Sequence, residues 1–155
     1  MKIDLSKPPM FDEISKAFGV KESDAIFYTW GDTIHAPCKK MPPDYLIVHE
    51  EVHQDQQGDD PEDWWCHYLL DADFRAHQEA EAYGAQLKWM RAQKRWKDRN
   101  AAARALHEIA QNLSGAMYGR CLTYQEATKL VKAYADGTAI AEIETKMPDV
   151  GEPNS

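Results

Sequence analysis

Pro42-Pro43-Asp44-Tyr45-Leu46-Ile47-Val48-His49-Glu50-Glu51-Val52-His53-Gln54-Asp55-Gln56-Gln57-Gly58 is the stretch on which the reading of the chain turns. The proline pair punctuates a helix start, because a proline in the first turn gives up only an N–H that would have no helical partner anyway. Tyr45, Val48 and Val52 recur at helical spacing and are expected to anchor the inner face, and Gly58 supplies the stop. On such a helix His49 and His53, four residues apart, project from one face. Both can reach a single cation about 2.0 to 2.1 Å from each ring nitrogen. Glu50 turns about 100° away round the helix axis, which sets it beside the cation rather than on it.

Downstream of this helix the chain reads as helical throughout. Pro61-Glu62-Asp63 opens a second helix with acidic residues at its positive end, and Trp64, Trp65, Tyr68, Leu69 and Leu70 load it with apolar surface. From Ala72 to about Arg99, Phe74, Tyr83, Leu87 and Met90 mark a long helix, with Gly84 as the place where it would break. Asn100 to Asn112 is an alanine-rich helix ending near Ser114-Gly115. Thr123-Tyr124-Gln125-Glu126 is a capping box that opens a last helix, closed at Asp136-Gly137. Upstream, Ala25 to Trp30 is rich in aromatic and β-branched residues and ends at Gly31-Asp32, across which Thr33 to Ala36 can pair as a small antiparallel ribbon. The expected class is α+β, mostly α: a small N-terminal β element followed by about five helices. It forms a single domain over residues 1–145, with a flexible acidic tail at 146–155.

Composition narrows the partners. At 155 residues the chain suits one core and one site. A net charge of −8 argues against nucleic acid, whose phosphates need surplus Lys and Arg. Cys38, Cys66 and Cys121 are odd in number and lack CxxC spacing, which suggests neither a disulfide framework nor a cysteine zinc knuckle. No stretch approaches the length of a membrane span and no leader is evident, so a soluble, cytoplasmic protein is expected.

Two histidines leave a catalytic zinc short of one ligand, because such sites use three protein ligands and keep a fourth position open. Glu79 is the candidate. It lies on the long helix, far enough from His53 for one intervening helix and a return. His77 and Glu81 compete, but each is two residues from Glu79, so the three cannot all face one ion.

His49, Glu50 and His53 followed by the helical Glu79-Ala80-Glu81-Ala82 resemble the gluzincin branch of the zincin metallopeptidases over roughly residues 25 to 90. The resemblance implies zinc held by His49, His53 and Glu79, with Glu50 as general base for hydrolysis of a peptide or protein substrate. It also implies a short sheet ahead of the active-site helix, whose edge strand, here Thr33 to Ala36, pairs with extended substrate. Several gluzincins carry an aspartate four residues after the ligand glutamate to orient a histidine. This chain has Tyr83 there, which leaves that supporting role unassigned. The chain is also similar to small proteins of phages and prophages, and the competing reading is a non-catalytic zinc-binding structural or accessory protein of that kind. An unliganded Glu50 favours the enzyme; a fourth ligand such as His77 would favour the alternative.

Other features read more simply. His35, Tyr83 and Tyr118 could touch substrate but fit core or rim positions better. The run Lys88, Arg91, Lys94, Arg95, Lys97, Arg99 with Trp89 and Trp96 reads as a solvated helix face. Asp55, Asp59, Asp60, Glu62 and Asp63 lack calcium-loop spacing and read as a helix cap.

Overall fold

A computed structural model describes residues 1–93 and 99–138 of the chain. They form a three-stranded sheet, β1 (Lys2–Asp4), β2 (Tyr28–Trp30) and β3 (Thr33–His35), and six helices. The helices are α1 (Phe11–Phe18), α2 (Asp44–Gln57), α3 (Pro61–Leu70), α4 (Ala72–Ala92), α5 (Arg99–Leu113) and α6 (Tyr124–Asp136), with a 3-10 turn at Ala116–Tyr118 before α6. The mostly α, α+β class expected from the sequence is the one observed, with α1 added to the five helices anticipated. The tail expected at 146–155 and residues 94–98 of the basic run lie outside the described residues.

β2 and β3 pair antiparallel across Gly31-Asp32, Trp30 opposite Thr33 and Tyr28 opposite His35. Gly31 adopts φ +59°, a left-handed value that its missing Cβ allows. The expectation that Thr33 to Ala36 is the edge strand is wrong. The order is β1-β3-β2, because Lys2–Asp4 pairs in parallel with the far side of β3, Lys2 opposite Thr33 and Asp4 opposite His35. The ladder is prolonged by Ala36 N donating to Asp4 O. Three residues are too short a run to announce themselves as a strand, so the edge that faces the helices belongs to β2.

The inner face of α2 also differs from expectation. Its buried residues are His49, Glu50, His53 and Gln57, whereas Tyr45, Val48 and Val52 are half-buried. Hydrogen bonds from its polar face tie this helix to β2 and α4. The neighbouring helices follow the ordinary pattern. Asp60 caps α3 by accepting from Asp63 N. Trp64, Trp65 and Tyr68 of α3 are buried with Phe11, Ile14 and Tyr28 in one apolar cluster.

α4 runs unbroken through Gly84, because Gly84 is where α6 crosses it: a Cβ added there would overlap Tyr134 Cβ. A second cluster fills the space between α4, α5 and α6, around Leu87, Leu113 and Val131. The capping box at Thr123 and Glu126 forms as the sequence predicts, and Gly137 closes α6 in the left-handed conformation. α2 and α4 lie side by side between the two clusters, and the polar face of α2 looks into the gap. No helix among the described residues is long and apolar enough to cross a membrane.

Candidate metal centre

His49 and His53 come from successive turns of one face of α2, and Glu79 faces them from the second turn of α4. His49 Nε2 lies 3.1 Å from His53 Nε2 and 3.1 Å from Glu79 Oε2, and His53 Nε2 lies 3.4 Å from Glu79 Oε1. All three residues are buried. Ligands placed tetrahedrally at zinc distances of 2.0 to 2.1 Å stand about 3.3 Å from one another, so the spacing fits one small cation.

Each Nε2 offers either one proton or one lone pair, and a cation at the centre of the triangle would take a lone pair from both rings and the carboxylate at once. Among the described residues this is also the group of His, Cys, Asp or Glu side chains placed to share a metal ion.

No family model, curated protein or solved structure matches the chain. The assignment of roles rests on the residues and their surroundings.

The surroundings orient the donors. Gln56 Nε2 donates to Gln78 O at 3.0 Å and to Glu81 Oε2 at 3.1 Å, which turns its Oε1 towards His53. Oε1 accepts from His53 Nδ1 at 2.8 Å, placing the lone pair of a neutral His53 on the Nε2 that faces the triangle. Glu81, the rival for third ligand, thus sits one layer out, holding the residue that holds His53. His77 stands apart as well, its Nδ1 bonded to Asp73 O on its own helix. Tyr68 donates to Glu79 Oε1 at 2.6 Å. Tyr83, in the position where the resemblance led to an aspartate being sought, stacks edge-on against the His49 ring at 4.5 Å instead of accepting from it. Among the described residues, His49 Nδ1 is buried without a hydrogen-bond partner. Trp64 tilts against His53 at 5.3 Å, its indole N–H donating to Gln78 Oε1.

Glu50 lies beside the triangle, buried, with Oε2 accepting from Thr29 Oγ1 at 2.7 Å. Burial raises its pKa, more than the neighbouring His53 and His49 pull it down. For Glu79 burial also opposes ionisation, but His53 and His49 prevail and hold its carboxyl well below the usual range. The two carboxylates are therefore distinguished by their neighbours: one is fixed as an anion among imidazoles and the other is tuned towards accepting a proton. Burial raises the hydroxyls of Tyr68 and Tyr118 well above their ordinary range, so both remain hydrogen-bond donors.

A cavity of about 540 Å³ opens from this centre. Its walls are mostly apolar, with Phe18, Ile26, Trp65 and Met117 among them, and Gln111 and Asn112 stand exposed at its rim. His35 is buried in β3 and is not among the residues lining the cavity. The structure brings His49, His53 and Glu79 together with Glu50 beside them, and sets around them Thr29, Gln56, Gln57 and Tyr68, which the sequence reading did not single out. Gln56 and Gln57 carried a weak signal, being three and four residues after His53 on the same helix. Thr29 and Tyr68 carried none, since their parts depend on which elements meet.

Proposed function

We propose that the chain is a zinc-dependent peptidase, with His49, His53 and Glu79 holding the ion and Glu50 as general base. The observation that carries this reading is the triangle of converging donors beside a buried, unliganded carboxylate at the head of a cavity. Two imidazoles and a carboxylate suit zinc first among the divalent ions, and three protein ligands leave a position open, as in catalytic rather than structural sites. Bound there, the ion would polarise the carbonyl of the scissile bond and make water more acidic.

The chain's own residues supply the proton path. Thr29 donates to Glu50 Oε2, and Glu50 is among the residues that line the cavity. The Glu50 carboxylate takes a proton from the water whose oxygen attacks the carbonyl carbon, and delivers it to the amine nitrogen as the C–N bond breaks. Gln56 keeps His53 from turning away, and Tyr68 fixes one oxygen of Glu79. The mostly apolar walls limit water beyond the molecule consumed.

The test is elemental analysis of the purified protein alongside cleavage of an unstructured protein substrate. Wild type and Glu50→Gln should each hold about one zinc per chain, and His49→Ala and Glu79→Ala should lose it. Only wild type should cleave. Zinc bound by wild type without turnover on any peptide would leave the accessory-protein reading, and no zinc after reconstitution would end both.

A further inference from the structure

Arg75 stands on α4 one turn before Glu79, is buried, and is not among the residues that line the cavity. Among the described residues its hydrogen bonds go to carbonyls and to no carboxylate. Nη1 donates to Tyr68 O and, at 3.5 Å, to Leu69 O, while Nε donates to Met117 O at 2.9 Å. Tyr68 and Leu69 lie in the last turn of α3, whose carbonyls lack partners within their own helix and whose negative end favours a cation. The guanidinium carbon also sits over the ring of Phe18, 5.0 Å from its centre, and over that of Tyr68, at 5.7 Å. One buried side chain thereby joins three elements: the end of α1, the end of α3 and the 3-10 turn before α6.

What the three share is the cavity. Phe18, Tyr68 and Met117 all line it, and the rings of Phe18 and Tyr68 meet edge to face at 6.0 Å. Tyr68 also donates to Glu79, so this wall begins at the metal triangle. The charge of Arg75 lies behind the wall, against the two rings, and the cavity meets ring and thioether surface in front. Met117 is 42 % exposed, and the bond from Arg75 ties its backbone to the other two. A cap for α3 would need only the carbonyls of Tyr68 and Leu69; the bond to Met117 and the contact with Phe18 go further and serve the wall.

We propose that Arg75 is a positioning residue for specificity: it holds Phe18, Tyr68 and Met117 as one apolar wall, so that the site prefers a peptide with a bulky apolar side chain at the bond that is cut. This rests on the peptidase reading. A phenylalanine side chain would cover the wall and an alanine would leave it bare, and apolar groups gained or lost in such a pocket are worth about 10- to 200-fold.

The experiment uses two decapeptides of glycine, serine and alanine that differ at one central position, phenylalanine in one and alanine in the other. Cleavage by the zinc-loaded wild-type protein is followed by mass spectrometry, which gives both the rate and the bond cut. Wild type should cut at a bond formed by the phenylalanine, with kcat/KM at least tenfold above that for the alanine peptide. Arg75→Lys keeps the charge but loses the planar fork that reaches several carbonyls at once. It should hold about one zinc per chain and raise KM for the phenylalanine peptide about tenfold, with the effect in KM rather than kcat. Met117→Ser removes part of the wall at an exposed position and should narrow the preference in the same way, which keeps the test available if Arg75→Lys does not fold. Equal cutting of both peptides by wild type, or a preference that the variants retain, would overturn the proposal. So would failure to cut the phenylalanine peptide while an unstructured protein is still cleaved. In each of these cases the peptidase reading stands. If zinc-loaded wild type cuts neither the peptides nor the protein, both fall.

Discussion

Glu79 and Glu81 are chemically identical, two residues apart on one helix, and differ only in what they face. Glu79 should be indispensable for metal: Glu79→Gln is expected to abolish stoichiometric zinc, while Glu81→Gln should keep about one ion per chain. Glu81 acts through Gln56, so Gln56→Ala should weaken zinc affinity about 10- to 100-fold without changing stoichiometry, the usual cost of losing the partner that orients a histidine. A competition titration with a chromophoric chelator measures both. Glu50→Gln should leave zinc affinity close to wild type and lower kcat/KM by about a hundred- to ten-thousand-fold, the range of a positioned general base. His49, Glu50 and His53 were legible in the sequence because helical periodicity decides which of them share a face, whereas Glu79 came from its distance along the chain and the resemblance, with Glu81 as a rival. Thr29 and Tyr68 were not, because their partners lie 21 and 11 residues away across element boundaries.

Among the elements, α4 shows local preference yielding to packing. Replacing Gly84 with alanine in an isolated helix would stabilise it by about 1 kcal/mol. Here the added methyl would meet Tyr134 and the backbone of Ala135 on α6. Overpacking of this kind costs about 1 to 3 kcal/mol, so Gly84→Ala should lower the urea midpoint rather than raise it. Thr123→Ala, by contrast, removes a cap that the sequence already announces and should cost about 1 kcal/mol. The long helices and their caps could be read because their signals repeat over several turns. β1 could not, since three residues carry no period, and with it went the position of β3 in the sheet. The inner face of α2 was misjudged for a related reason: a search for apolar anchors passes over a helix that buries His49, Glu50, His53 and Gln57.

At the scale of the whole molecule, the centre joins α2 to α4, and Tyr68 ties α3 to the same carboxylate. Metal at about a thousand times its dissociation constant stabilises the native state by about 4 kcal/mol. In a protein of this length that is roughly 8 to 16 °C in Tm. A chelator should therefore lower the thermal midpoint of wild type by about ten degrees and leave that of Glu79→Ala nearly unchanged, as read by circular dichroism. The contact between Trp64 and His53 turns the centre into its own optical gauge. An indole whose ring centre is 5.3 Å from that of the His53 imidazole lies well within the range over which a paramagnetic ion held by His53 would quench emission. Cobalt should darken the protein's ultraviolet fluorescence where zinc does not, and Trp64→Phe should remove most of that difference, so that occupancy can be followed by light without any added dye.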